Sequence, residues 1–271
     1  MTKLVCLYLT SPFCSCSYSL KFRFQLKSNL LNTALYRCFN SAFTSYYFSK
    51  ARNRVRMTQS LSQPPDINIV FFDVMDTLVK DPFHQGMHRI FGFDSFEEFV
   101  EATNHRTWCE FELGRINERQ VAQQFFKAAY GTTQFDWKRL KAFLWDHYVW
   151  MDGIEMILKA FQESEGTIQL HILSNYPPLY RMIEEKLQIS RYLKWSFVSC
   201  DIGFRKPDFE IFQFAVNTLG VSPQHCLFID DRKVNCDAAQ QLGLHTIHFK
   251  DSQQLKSQLI TYFQWFKCSK V

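Results

Sequence analysis

The sequence predicts an α/β fold, a doubly wound, Rossmann-like parallel sheet interrupted by one α-helical insertion. Three observations carry this expectation. Ile67-Asn68-Ile69-Val70-Phe71-Phe72 is a nearly continuous apolar run rich in β-branched and aromatic residues, the composition of a strand buried on both faces. From residue 153 onward, short apolar strands alternate with helical stripes, as parallel sheets with crossover helices require. Between these two regions, residues 83–152 show helical periodicity and no convincing strand.

In chain order, Gln63-Pro64-Pro65-Asp66 is a turn-forming linker that opens the folded body, and the first strand ends at Asp73. In the insertion, Ser95-Phe96-Glu97-Glu98 reads as a capping box, and Asn117 with Gln120 as another. The second box starts a stripe of Val121, Phe125, Ala128 and Ala129 that Gly131 stops, and Leu140, Phe143, Leu144 and Tyr148 mark a further helix. Ile154, Ile157, Leu158 and Phe161 then share one helix face. They precede a strand at 168–173, a helix through Leu179, Met182, Ile183 and Leu187, and a short strand at 195–200. Phe212, Ala215, Val216 and Leu219 form the next stripe, followed by a strand from Cys226 that ends at Asp230-Asp231. A helix ending at Gly243, a strand at 245–249 and a terminal helix through Leu255, Leu259 and Phe263 complete the pattern. The expected division is a core of 66–82 with 153–271, and an insertion of 83–152.

Charge separates a leader from this body. The 271 residues carry 31 Lys and Arg against 26 Asp and Glu, a net charge of +5, with 46% hydrophobic content. Up to Pro65 there are nine basic residues and no acid, so the rest is net −4 and offers no basic face for nucleic acid. Residues 1–60 are serine-rich, basic and acid-free, the composition of an organellar transit peptide. A chloroplast address, with the mitochondrion as the alternative, makes an import machinery the expected partner of the leader; a retained basic tail is the competing reading. No segment approaches the ~20 apolar residues of a spanning helix. Nine cysteines without a CxxC pair read as reduced thiols rather than a disulfide scaffold.

Ligands of open α/β sheets bind beyond the carboxyl ends of the strands. There the sequence places Asp73-Val74-Met75-Asp76-Thr77-Leu78, Ser174-Asn175, Lys206-Pro207-Asp208 and Asp230-Asp231-Arg232. This set suits phosphoryl transfer. A carboxylate can attack phosphorus, crowded carboxylates call for a hard cation such as Mg²⁺, and a hydroxyl, an amide and an ammonium can hold phosphate oxygens.

The four segments, in this order, resemble the haloacid dehalogenase superfamily of hydrolases, and the resemblance spans nearly all of residues 66–250. It implies that Asp73 is nucleophile and metal ligand, that Ser174 and Asn175 bind phosphate, and that Lys206 steadies both nucleophile and phosphate. It further implies that Asp231, supported by Asp230, is the second metal carboxylate, and that the helical insertion is a cap over the site. One position departs from the family. Its phosphatases usually carry a general acid two residues after the nucleophile, where this chain has Met75. Met75 can offer Mg²⁺ its backbone carbonyl but moves no proton. Asp76 is the substitute at hand, although an extended segment would point it away from Asp73.

Finer wording, in Phe72-Asp73-Val74-Met75-Asp76-Thr77-Leu78, Trp108-Cys109-Glu110-Phe111-Glu112-Leu113-Gly114 and Ser174-Asn175-Tyr176-Pro177, resembles plant plastid members of the family that hydrolyse flavin mononucleotide (FMN). That resemblance implies a small phosphate ester substrate, FMN in particular. Met75 keeps open a catalytically weak member that binds a phosphorylated ligand or protein partner, or a hydrolase with a different phosphorylated substrate. The aromatic residues of the insertion, Trp108, Phe111, Phe125, Phe126, Trp137, Trp145 and Trp150, are expected to form its core.

Overall fold

Strand β1 (Ile69–Phe72) lies at the centre of a five-stranded parallel sheet. It pairs on one side with β2 (Gln169–Ser174) and on the other with β4 (Cys226–Asp230). Strands β3 (Lys194–Val198) and β5 (His245–His248) complete the order β3-β2-β1-β4-β5. The computed structural model describes residues 65–130, 135–164 and 168–267, so the serine-rich leader and its import assignment lie outside the described residues.

All four residues of β1 are buried, as its two-sided apolar composition requires. Their side chains alternate between two cores. Val70 and Phe72 join Ile172, Ile229 and Ile247 under α6 (Ile154–Glu163) and α11 (Ser252–Tyr262), where Ile157, Leu158, Phe161, Leu255 and Leu259 are buried. Ile69 and Phe71 join Leu173, Phe197 and Phe228 under α9 (Phe209–Leu219) and α10 (Lys233–Leu242), with Ile211, Phe212, Ala215 and Ala239. Each large apolar side chain buried this way stabilises the fold by roughly 1.5–3 kcal/mol. β1 thus has its neighbours β2 and β4 reached by crossovers in opposite directions, and the crevice at its carboxyl end is the switch point of the sheet.

Between β1 and β2 the chain forms a 3-10 turn (Pro82–Gln85) and helices α1 (Met87–Ile90), α2 (Phe96–Ala102), α3 (His105–Glu112), α4 (Glu118–Gln124) and α5 (Trp137–His147). The reciprocal capping box at Asn117 and Gln120 forms in full, while Ser95 Oγ accepts from Glu98 N at 3.1 Å. The stripe expected to run through Ala129 breaks at Gln124, and Ala128–Tyr130 form a separate 3-10 turn. Tertiary pairing explains the break. Asn104 N donates to Phe125 O at 2.6 Å and Lys127 N to Ala102 O at 2.8 Å, drawing the backbone out of the helix. Phe91, Phe93, Phe99, Phe125, Phe126 and Phe135 interlock as the aromatic core of the insertion. The short strand expected through Cys200 ends at Val198, and residues 199–202 form a helical turn, α8 (Ser199–Ile202). Helix α7 (Tyr180–Leu187) follows β2.

The insertion is stitched to the sheet at several points. Lys80 N donates to Val149 O at 3.0 Å and Met151 N to Leu78 O at 2.8 Å, pairing the entering and leaving chains. The Tyr148 and Tyr176 hydroxyls meet at 2.8 Å in the interior. Ser199 Oγ donates to Glu112 O and accepts from Tyr176 N. Beside that junction Gly114 adopts φ +68°, and a Cβ there would lie 2.3 Å from Cys200 O. Both its left-handed backbone and the close approach require glycine. Gly114→Ala should therefore lower unfolding stability by about 1–3 kcal/mol, read by urea denaturation; an unchanged midpoint would contradict the close approach.

His171 of β2 is buried in the sheet, with Nδ1 2.7 Å from Ser196 Oγ, and burial pulls its pKa down to about 4. The unfolded chain takes up this proton near pH 6.5, whereas the fold resists it until about pH 4. Stability should therefore fall as pH drops through that window, by at most about 1.4 kcal/mol per pH unit from this group. Denaturation of wild type and His171→Gln at pH 7 and pH 5 reads the difference, and parallel pH slopes would contradict the assignment.

Candidate active site

The site begins where β1 stops. Asp73 N still donates to Ile229 O at 2.9 Å, so the ladder carries the Asp73 side chain to the sheet's edge, where it is 6% exposed. The chain then tightens. Leu78 N and Val79 N both donate to Val74 O, Asp76 N donates to Val79 O, and Asp76 takes φ 50°. The extended geometry that would point Asp76 away from Asp73 is therefore absent, and Asp76 lines the same cavity as Asp73 and Met75. Aspartate is among the few non-glycine residues that tolerate this left-handed region.

Strand β4 delivers the opposing groups. Asp230 is wholly buried, and its carboxylate accepts from Lys206 Nζ at 2.6 Å, Arg232 N at 2.8 Å and Asn235 Nδ2 at 2.9 Å. Lys206 Nζ also lies 2.8 Å from Asp73 Oδ1, so one buried ammonium joins two strand ends. Burial disfavours that charge, but Asp230 and Asp73 outweigh it and hold the lysine pKa above its ordinary value. Asn175 positions the lysine from behind. Its Oδ1 accepts from Lys206 N at 2.7 Å and its Nδ2 donates to Lys206 O at 2.8 Å. Asn175 thus serves a main-chain clamp as well as lining the cavity. Ser174 ends β2 with a buried hydroxyl that has no hydrogen-bond partner, and it is not among the residues lining the cavity.

Asp231 differs from its neighbour. Its N donates to Thr77 Oγ1 at 3.1 Å, tying the β1 and β4 loops together. Burial, then the charges of Asp73 and Asp230, push its carboxyl up to about 8. Carboxylate oxygens of Asp73, Asp230 and Asp231 lie within 4.8 Å of one another. Three carboxyl groups cluster where Lys206 pairs with Asp73 and Asp230, and that surplus of hard oxygen donors fits a divalent cation such as Mg²⁺.

The cavity above these groups measures about 510 Å³. The insertion contributes Met87, Trp108, Glu112 and Leu144 to its walls, and the 3-10 turn contributes Phe83 and His84. Of the insertion's aromatic residues, Phe111 and Phe125 are core, as the sequence suggests, while Trp108 faces the cavity. Sequence reasoning missed three charged residues here. Glu112 and Arg205 form a buried ion pair at 2.7 Å, with burial raising the Glu112 carboxyl and the guanidinium opposing the shift. Asp81 Oδ1 accepts from Phe83 N at 2.9 Å, capping the 3-10 turn, and its carboxyl faces the cavity. Desolvation, countered by the Phe83 amide and reinforced by Asp76, Asp73 and Glu112, pushes Asp81 up to about 7. In the sequence, Asp81-Pro82 has only the signature of a turn.

Residues 67–243 match the family model of the haloacid dehalogenase-like hydrolases. A chloroplast flavin mononucleotide hydrolase of Arabidopsis thaliana is 37% identical over 199 residues, covering 73% of this chain and 79% of that protein. A sesquiterpene phosphatase of Aspergillus oryzae is 28% identical over 177 residues, covering 58% of this chain and 80% of its own. The fold is similar to that of a haloacid dehalogenase family enzyme from Bacteroides thetaiotaomicron, solved with magnesium and inorganic phosphate. There the TM-score is 0.54, with 20% identity over 69% of this chain and 96% of that one.

Lys206→Met should leave Asp73 and Asp230 buried without their cation and lower stability by about 3–5 kcal/mol. Urea denaturation in EDTA reads this directly; a loss under about 1 kcal/mol would show that the two carboxylates do not depend on the lysine.

Proposed function

The chain belongs to the haloacid dehalogenase-like hydrolases, and from that premise we propose that it is a Mg²⁺-dependent phosphatase that hydrolyses FMN to riboflavin and phosphate. The observation that carries the reaction class is the cluster of Asp73, Asp230 and Asp231, the first two paired with Lys206, at the switch point of the sheet. The flavin rests on the Arabidopsis relative and on a cavity that Trp108, Met87 and Leu144 make largely apolar on its insertion side.

In this reading residues 83–152 act as a cap over the core of 66–82 and 153–271. Asp73 and Asp231 would hold Mg²⁺, with the main-chain carbonyl of Met75, and Asp230 would support them by fixing Lys206 and Asn235. The bound cation would offset the negative charge of substrate phosphate and carboxylates. Lys206 fixes one oxygen of Asp73 and leaves the other to attack phosphorus. An aspartyl-phosphate forms, the ester oxygen departs, and water then releases phosphate. Asn175 and Lys206 would supply donors for the phosphate oxygens, and the unpartnered Ser174 hydroxyl, buried behind them at the end of β2, would join them only by turning toward the cavity. Residue 75 has no proton to move, so the acid must come from elsewhere in the cavity, where Asp76, Asp81 and Glu112 place carboxyl groups.

The acid-free leader and the chloroplast relative support a plastid address reached through an import machinery. Met75 favours a second reading, a slow enzyme or a binder of phosphorylated ligands, and one assay separates the two. Full-length protein with Mg²⁺ should release phosphate from FMN, EDTA should abolish the release and added Mg²⁺ restore it. Asp73→Asn should lower kcat about 10⁴-fold or more. Equal rates in Asp73→Asn and wild type would remove the nucleophile assignment, and activity untouched by EDTA would remove the metal.

A further inference from the structure

We infer that Asp81 is the general acid and base of this phosphatase, standing in for the carboxyl that residue 75 lacks. The inference rests on the phosphatase reading above and adds the group that moves the proton.

The geometry supports it in three ways. Asp81 lies on the cavity wall that also holds Asp73, Lys206 and Asp231, at the first turn after the nucleophile's loop. Its Oδ1 accepts from Phe83 N, an anchor that fixes the carboxyl group and leaves Oδ2 for a substrate oxygen. Its backbone is fixed as well, because Asp81 N donates to Asp76 Oδ1 at 2.9 Å. That bond gives Asp76 a different task. Turned into the cavity by its left-handed backbone, Asp76 carries an oxygen already engaged in holding Asp81, which makes it a positioning residue.

The surroundings supply the chemistry. The groups facing Asp81 are Asp73 and Asp76 from the β1 loop, Glu112 from α3, and the Tyr148–Tyr176 hydroxyl pair beneath the cavity, with His84 on its own turn. Burial and three neighbouring carboxylates keep the Asp81 proton on to about pH 7. Asp73, by contrast, has the Lys206 ammonium 2.8 Å away. Two carboxyl groups in one cavity with opposed environments are what divide nucleophile from acid.

The steps balance. Asp73 carboxylate bonds to phosphorus as the phosphorus–ester oxygen bond breaks, and the Asp81 proton passes to the departing oxygen to give the alcohol. Water next loses a proton to the Asp81 carboxylate while its oxygen bonds to phosphorus. The Asp73–phosphorus bond breaks, hydrogen phosphate leaves, and both side chains return to their starting states.

Asp81→Asn isolates the proton, because asparagine is as good a cap as aspartate and keeps the bond from Phe83 N. With full-length protein and Mg²⁺, two substrates are compared, FMN, an alkyl ester whose leaving group needs a proton, and p-nitrophenyl phosphate, whose leaving group does not. The variant should lose about 10²–10⁴-fold in kcat on FMN. On p-nitrophenyl phosphate it should still release one nitrophenolate per active site in a burst, then stall as the phosphorylated enzyme. The wild-type fall in FMN rate as the acid ionises above about pH 7 should vanish from the variant profile. Asp81→Glu, which keeps a carboxyl, should recover part of the FMN rate. Wild-type FMN rates in Asp81→Asn, or loss of the burst in proportion to the FMN rate, would overturn the inference. Asp76→Asn losing FMN activity while keeping the burst, with Asp81→Asn unaffected, would move the role to Asp76. Activity in Asp73→Asn would instead sink the phosphatase reading itself, whatever Asp81 does.

Discussion

One buried ammonium lies between the carboxyl ends of two adjacent strands, and the site is arranged around it. Lys206 pairs with Asp73 after β1 and with Asp230 at the end of β4. Without it two carboxyl groups would lie buried side by side with no cation between them, and desolvation of an isolated buried charge costs several kcal/mol. The lysine in turn depends on its main-chain bonds to Asn175 beyond β2. Three strand ends are thereby tied into one unit, and Asp231, one residue beyond the saturated Asp230, adds the third carboxyl group of the cluster.

The insertion matters because it changes the solvent above this unit. Helices α3 and α5 bring Trp108, Glu112 and Leu144 over the strand ends, and the interlocked phenylalanines of the insertion pack in one core with the apolar residues of the sheet. Covering the site lowers the local dielectric, which strengthens the Lys206 interactions and raises the carboxyl groups it desolvates. Asp81, Glu112 and Asp231 all show that rise, and each has a different counterweight: a backbone amide for Asp81, Arg205 for Glu112, and the Lys206 charge for Asp231. One covering layer thus produces three electrostatic environments.

Local pattern made the sheet, the helices of the core and the four strand-end motifs legible. Apolar runs of strand length and stripes at 0, 3, 4, 7 report directly on which faces are buried, and burial was the same in the structure. The stripe through Ala129 misled because Ala102 and Asn104, far from it in sequence, draw its end into a bridge at Thr103. Asp76 misled because a strand's alternation was carried one turn too far, past the point where Val74 O gathers the amides of Leu78 and Val79.

The sequence by itself determined the fold class, the order of the motifs and the family, because periodicity and strand-end residue types are local properties of the chain. Tertiary structure alone decided which carboxylates share a cation and which share a cavity. Glu112 finds Arg205 across 93 residues, Lys206 finds Asp73 and Asp230, and Asp81, the capping residue of the 3-10 turn, comes to share a cavity with Asp73 and Glu112. A carboxyl group's charge state is set by everything within a few ångströms in space, and linear order carries no record of that neighbourhood.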